Sequence, residues 1–337
     1  MSTLTINISM KKIASILVIS LLLLSCKDDK SVKYVPESIG AINSLSVVID
    51  NELWQGEVGD KVREYFAAPV VGLTLEEPLF TINYMPPSVF TGSIQHSRSV
   101  LYVTRDSTNK TLIKTDVYAK PQKVAVISGK NVQDIKKEID ANAGKIIEAF
   151  RGLEITEAQK RFRRSLNREG VLKETFNVNL EIPSAYKVGR QEDNFVWYDR
   201  QVPKGTMNVI MYAMPEDYFK NDSTLVRDIL RMRDSIGSVY IPGEDIPGKK
   251  NHMVTEKIFA PHVYPAEIAG KKAVEVRGLW EMSDYPMGGP YLMYIINDKE
   301  NNRKLIIEGF TFAPASRKRD NMFELEAILK TITFLKS

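Results

Sequence analysis

The sequence predicts an α+β protein of two related α/β units, each a mostly antiparallel sheet with packed helices, produced by internal duplication. Three observations carry this. Phe80–Phe90 (FTINYMPPSVF) echoes Phe176–Tyr186 (FNVNLEIPSAY), with Phe, a β-branched residue, Asn, Pro and Ser recurring at one offset of 96. In each copy two β-rich runs with a polar turn between them follow, and then an apolar stripe at helical spacing. The last third of the chain strings β-rich runs between turn residues and closes on one more helical stripe, the order of an antiparallel sheet with helices packed on it.

Taken in order, the chain begins with a targeting pattern. Lys11 and Lys12 precede the uncharged apolar run Ile13–Leu24, and Ser25 leads into Cys26. A positive start, a short apolar core and a small residue before the cut mark an export signal. The run is too short for a membrane span, which takes about 20 residues as a helix. Placed directly after Ser25, Cys26 resembles the acylated cysteine of bacterial lipoprotein signals, which implies acyl chains on Cys26 as a membrane anchor. Residues 1–25 are then a signal peptide and 26–40 a lipidated flexible tether. Lys27-Asp28-Asp29 resembles a surface-export tag as much as a solvated spacer, and with no Asp directly after the cysteine the outer membrane is the expected location.

Removing 25 residues from 337 leaves 312, natural for two domains, expected at 41–168 and 171–337. The formal charge of +4 includes Lys11 and Lys12, so the remainder carries +2, too little to argue for nucleic acid. Cys26 is the single cysteine, so its acylation leaves none for a disulfide or a thiolate metal site.

Leu45–Asp50 reads as a strand and Val62–Phe66 as a short helix. Val100–Arg105 and Thr111–Ala119 are expected to pair as a hairpin, as are Phe195–Arg200 and Thr206–Ala213. Asn131, with Asp134 three residues on, caps a helix that carries Ile135, Ile139, Ile146 and Phe150; Gly152 offers a stop and Thr156 with Gln159 a second start. The basic run Lys160, Arg161, Arg163, Arg164 reads as a solvated helix face rather than a phosphate site. Asn167–Gly170 is the expected joint. Leu225, Val226, Ile229, Met232 and Ile236 form the next stripe, ended by Gly237, and 241–248 is a loop. Strands are expected at 253–259, 273–280, 291–296 and 304–312, with a turn at 298–302 and a last helix capped by Asp320.

The candidate ligand site is the stretch 280–291. Trp280, Tyr285, Met287 and Tyr291 supply apolar faces, and Gly288-Gly289 permits close backbone approach, a pattern suited to a sugar ring or peptide. The plainer reading is a turn whose aromatics fill the core. His96, His252 and His262 fall in no metal-ligand spacing, no G-x-S-x-G elbow is present, and no catalytic residue, metal or cofactor is assigned. A glycosidase-like pair of carboxylates, distant in sequence, has no pattern to mark it.

The lipid signal, the FNVNLEIPSAYKV run, the EMSDYPMGGPY stretch and the closing IIEGFTFAPASRKRD–ELEAILKTITF together resemble a family of uncharacterised lipoproteins of Gram-negative envelopes, classed as a domain of unknown function. The second half also resembles the sheet-plus-terminal-helix layout of PsbP-like and Mog1-like domains, chiefly binding or assembly modules. The resemblance implies an envelope location and no known activity. The expectation is a membrane-anchored, non-catalytic binding or assembly module, with an envelope protein or a glycan as partner. The alternatives are a surface glycan- or peptide-binding lipoprotein using the aromatic Gly-Gly stretch, and an envelope hydrolase with unrecognised carboxylates.

Overall fold

The computed structural model describes residues 34–219, 221–314 and 316–335. The signal sequence and Cys26 lie outside the described residues. Residues 37–337 form one compact unit. Its architecture is mixed α+β in two halves.

The N-terminal half comprises β1 (Ser44–Ile49), α1 (Asn51–Gln55), α2 (Glu57–Phe66), β2 (Thr81–Met85), β3 (Ser99–Arg105), β4 (Lys110–Thr115), β5 (Lys123–Gly129) and α3 (Val132–Phe162). The sheet order is β2-β1-β3-β5-β4, and only β4 runs antiparallel to its neighbour. This corrects the expected antiparallel sheet. The physical reason is burial on both faces: Val47 and Val48 point to opposite sides of β1 and neither is exposed, which is how strands in parallel sheets read. On one side Leu45, Val47, Leu101 and Ile127 meet Ile135, Ile139, Ile146 and Phe150 of α3. On the other, Val48, Val100 and Val124 pack with Phe90 from the 86–97 loop.

Helix α3 is continuous through the stop and restart expected at Gly152 and Thr156. Thr156 Oγ1 donates to the Gly152 carbonyl at 2.9 Å, so the hydroxyl is spent inside the helix instead of capping a new one. Asn131 caps the start as expected, its side chain accepting from the Asp134 N–H at 3.0 Å. The end of the stretch read as tether is docked: Glu37 bridges to Lys120 and Ile39 to Ser97.

The C-terminal half comprises α4 (Val171–Phe176), β6 (Val178–Asn179), β7 (Lys187–Glu192), β8 (Phe195–Val202), β9 (Gly205–Pro215), α5 (Leu225–Tyr240), β10 (Met253–Thr255), β11 (His262–Ile268), β12 (Lys271–Met282), β13 (Gly288–Asp298), β14 (Arg303–Phe312), α6 (Arg319–Leu329) and β15 (Thr333–Phe334). The large sheet is antiparallel in the order β10-β12-β13-β14-β9-β8-β7, with β11 also on the outer edge of β12. Alternation divides its faces cleanly. Leu292, Tyr294, Leu305, Ile307, Val209 and Met211 face α6, while Tyr291, Met293, Ile306, Phe310, Ile210 and Tyr212 face α5.

The two halves do not share a strand order. β8 and β9 form the expected hairpin, but β5 lies between β3 and β4, each of which pairs with it. The structure therefore does not show the internal duplication; short β-rich segments with Pro-Ser turns resemble one another without sharing a topology.

Charged contacts join the halves. Glu77, ahead of β2, accepts the backbone N–H groups of Lys318 (2.7 Å) and Arg319 (3.0 Å) at the start of α6. Asp320, expected to cap that helix, lies in its first turn and pairs with Arg319. Glu326 of α6 receives Arg151 of α3, Arg277 of β12 and Lys330 at 2.7, 2.9 and 2.7 Å.

Candidate functional site

The sheet outruns its helix. At about 3.3 Å per residue the long strands extend about 36–40 Å, while the 16 residues of α5 extend about 24 Å. Beyond Tyr240 the sheet is covered by the 241–252 segment, with Tyr285 and Met287 beside it, and a cavity of about 570 Å³ remains between them.

Its sheet wall is made by Trp197 and Asp199 of β8, Asn208 of β9, Trp280 and Met282 of β12 and Phe310 of β14. These residues alternate onto the α5 face, so period-two geometry brings four strands' side chains to one place. The rings are mutually fixed: Trp280 meets Phe310 at 5.6 Å between centroids in an edge-on arrangement, and Trp197 lies 6.3 Å from Phe310. Trp197 Nε1 donates to Asn208 Oδ1 at 3.0 Å, and Asn208 Nδ2 donates to Thr206 Oγ1 at 3.1 Å.

The cover is held by backbone bonds, Gly243 N–H to the Asn251 carbonyl at 2.9 Å and Met253 N–H to the Ile241 carbonyl at 3.0 Å. Asn251 Nδ2 donates to the Glu244 carbonyl at 3.1 Å. A Cβ at Gly243 would press on the Met282 methyl at 2.5 Å. At the side, Arg190 donates to Glu192 through Nε and Nη2 at 3.0 and 2.9 Å and to the Tyr240 carbonyl at 3.0 Å. Its guanidinium also lies 5.1 Å from the Tyr240 ring centre.

The structure divides the residues of the candidate stretch. Trp280, Tyr285 and Met287 line the cavity; Trp280 is 2% exposed and Tyr285 41%. Tyr291 belongs to the core beneath α5, with the Arg233 guanidinium 3.9 Å from its ring centre. Burial pushes its phenol up to about 12 against the pull of Arg233. Gly288 and Gly289 are not in a loop. They open β13, paired to Glu281 and Trp280, and Gly289 is required because a Cβ there would collide with the Thr311 carbonyl. Among the described residues, neither Trp280 Nε1 nor the Tyr291 hydroxyl has a hydrogen-bond partner.

Sequence reasoning missed Trp197, which reads as core, and Asn208, Phe310 and the 241–252 cover. The strand alternation of Trp197 and Asp199 was the available signal; the meeting of four strands was not.

Arg233 of α5 and Glu308 of β14 pair beneath the cavity at 2.7 Å with both side chains buried. Among the carboxylates displaced from their ordinary pKa, Glu52, Glu57, Asp140, Asp228 and Asp284 are all pulled down by hydrogen bonds. Burial pushes Glu326 up, but Arg151, Arg277 and Lys330 outweigh it and hold its carboxyl well below the usual range. In the basic run at the end of α3, Lys160 pairs with Glu37 at 3.5 Å, Arg161 with Glu157 at 3.0 Å and Arg163 with Glu181 at 2.9 Å. Among the described residues, no group of three or more His, Cys, Asp or Glu could hold a metal ion, and no helix is long and apolar enough to cross a membrane.

Residues 165–331 match the family model Domain of unknown function (DUF4837), and residues 38–163 match Domain of unknown function (DUF8532). No curated protein matches the chain. Among solved structures it is similar to the Ran-binding protein Mog1p of Saccharomyces cerevisiae, at 8% identity and TM-score 0.29, covering 48% of this chain and 91% of that one. It is also similar to human StAR-related lipid transfer protein 5, at 9% identity and TM-score 0.23, covering 52% and 94%.

Proposed function

We propose that this chain is a lipoprotein of the Gram-negative envelope, anchored in the outer membrane through acyl chains on Cys26. In this reading residues 41–168 and 171–337 are its two domains, and the body is a non-catalytic binding module with the Trp197–Trp280–Phe310 cavity as its ligand site. The anchor is supported by the Lys11–Cys26 pattern. Each buried acyl CH₂ contributes about 0.8 kcal/mol, so two or three chains suffice for stable attachment where one does not.

The observation that carries the binding reading is the cavity itself. A concave site of this size, with a mostly apolar surface and polar groups such as Asp199, Asn208 and Asn251 set into it, is the usual form of a small-ligand site. A second reading, a surface glycan or peptide held by the same aromatics, is favoured by the exposure of Tyr285 beside buried Trp280.

Palmitate labelling in a Gram-negative host tests the anchor. The wild-type chain is expected to take up label and fractionate with the outer membrane, and Cys26→Ala to lose both. Equal labelling of the variant would overturn the reading.

A further inference from the structure

We propose that the cavity takes an organic cation with an apolar body, an arylalkylammonium, and that Asp199 is the residue that selects the charge. The inference rests on the reading of this cavity as a ligand site.

It starts from an irregularity in β7. The register between β7 and β8 shifts between Val188 and Arg190, leaving Gly189 as the extra residue of a β-bulge. Bulges on edge strands re-aim side chains and recur beside functional sites. Here the bulge faces Asp199: a Cβ on Gly189 would sit 2.8 Å from Asp199 Oδ1. The missing side chain is therefore what gives the carboxylate its position in the cavity wall.

Among the described residues Asp199 forms no ion pair, although it is half-buried. Two cations stand near it on β7. Arg190 is matched by Glu192 and laid against Tyr240, so its charge is already answered. Lys187, opposite Asp199 in register, is exposed and makes no ion pair with it. Glu244 on the rim is a second carboxylate without an ion pair. The wall thus holds surplus negative charge.

The rest of the lining suits a cation with a ring. Trp197 and Tyr285 line the cavity with aromatic rings, and the negative quadrupole of such a ring attracts an ammonium group; Tyr240 is already taken, stacked on Phe195 at 4.3 Å and covered by Arg190. Trp280, Met282 and Met287 offer apolar, polarisable surface to the body that carries it. An anion would face Asp199 and Glu244 unpaired, and a neutral ligand would leave the Asp199 charge unanswered.

The test is calorimetric titration of the full chain with three probes of one shape: 1-naphthylmethylammonium, 1-naphthylmethanol and 1-naphthoate. The ammonium is expected to bind about tenfold tighter than the alcohol, the scale of a hydrogen bond to a charged group, with naphthoate weakest. Asp199→Asn should bring ammonium and alcohol within about twofold of each other. Gly189→Ala, which displaces the carboxylate and keeps its charge, should weaken the ammonium alone, and it reads the same proposal whether or not the first variant folds.

An unchanged ammonium preference in both variants would overturn the role of Asp199. Three probes that bind alike, or naphthoate binding tightest, would overturn the cation class while leaving the cavity a ligand site. No binding by any of the three to the folded wild-type chain would overturn the cavity reading as well.

Discussion

Glu326→Gln tests how much one buried carboxylate contributes to holding the two halves together. Glu326 is 4% exposed in its side chain and receives Arg151 and Arg277 on one oxygen and Lys330 on the other. Removing one partner of a buried pair costs about 3–5 kcal/mol, because the charges left behind stay uncompensated. Here the lower end applies. Arg151 and Lys330 are 23% and 39% exposed and can turn to water, and Arg277 keeps Glu275 at 2.6 Å. The expected loss is about 3 kcal/mol, or about 6 °C in melting temperature at roughly 2 °C per kcal/mol for a large domain.

The variant should also change the pH dependence. The folded carboxyl titrates well below its unfolded value, so its contribution is complete above the unfolded pKa, about 4.3. It is lost progressively as pH falls below that value toward the depressed folded pKa. Urea midpoints at pH 7, 5 and 3 would show it: the wild type falls steeply from pH 5 to 3, and the variant less. A variant within about 1 kcal/mol of wild type at pH 7, or one with the same slope between pH 5 and 3, would refute the reasoning.

Two further predictions concern the frame of the cavity. Arg233→Met should destabilise by about 3–5 kcal/mol in urea denaturation, because it strands Glu308, whereas the double variant Arg233→Met with Glu308→Leu should recover part of the loss; a double variant no better than the single would refute this. Gly289→Ala should cost more than the roughly 1 kcal/mol of an average point mutation, since its Cβ meets the Thr311 backbone instead of a side-chain tip that can move. A melting temperature equal to wild type would contradict that geometry.

The sequence made the local elements legible and left their partners hidden. The Asn131 cap and the α5 stripe were readable because each is decided within a few residues. The strand around Lys304–Phe312 and the turn at 298–302 were readable for the same reason. The cap on α6 was not, because the carboxylate that serves it, Glu77, comes from the other half of the chain. Likewise β3 and β4 looked like a hairpin because both are β-rich and separated by a polar turn; it is β5, arriving later in the chain, that takes a place between them. The β11 strand (His262–Ile268) was missed for its Pro265 and its exposed alternate residues, both tolerated on an edge. At the site, Trp280 is legible because its neighbourhood is unusual in sequence, whereas Tyr291 shares its face of the sheet but lies beneath α5, under Arg233, instead of beyond the helix end, a position no local pattern marks.

The same contacts that join the halves also fix the wall of the cavity. Arg277, held by Glu326 and Glu275, and Trp280 lie three residues apart on β12 and on opposite faces of it. The interface therefore pins from behind the strand that carries the cavity's largest ring, and Arg233–Glu308 pins the neighbouring α5 and β14 from within. A wall held on both sides has little freedom to adapt to a ligand. The 241–252 cover is tied at its ends by the bonds at Gly243 and Met253 and to the 283–284 turn by Ser283 N–H donating to the His252 carbonyl and by the Lys249–Asp284 pair at 2.8 Å, and the cost of opening a segment is set by the number of such bonds and buried contacts it must break. On the proposed reading of this cavity as a ligand site, two roles separate along the chain: the sheet wall would set which ligand fits, and the segment after α5 would set how readily it enters.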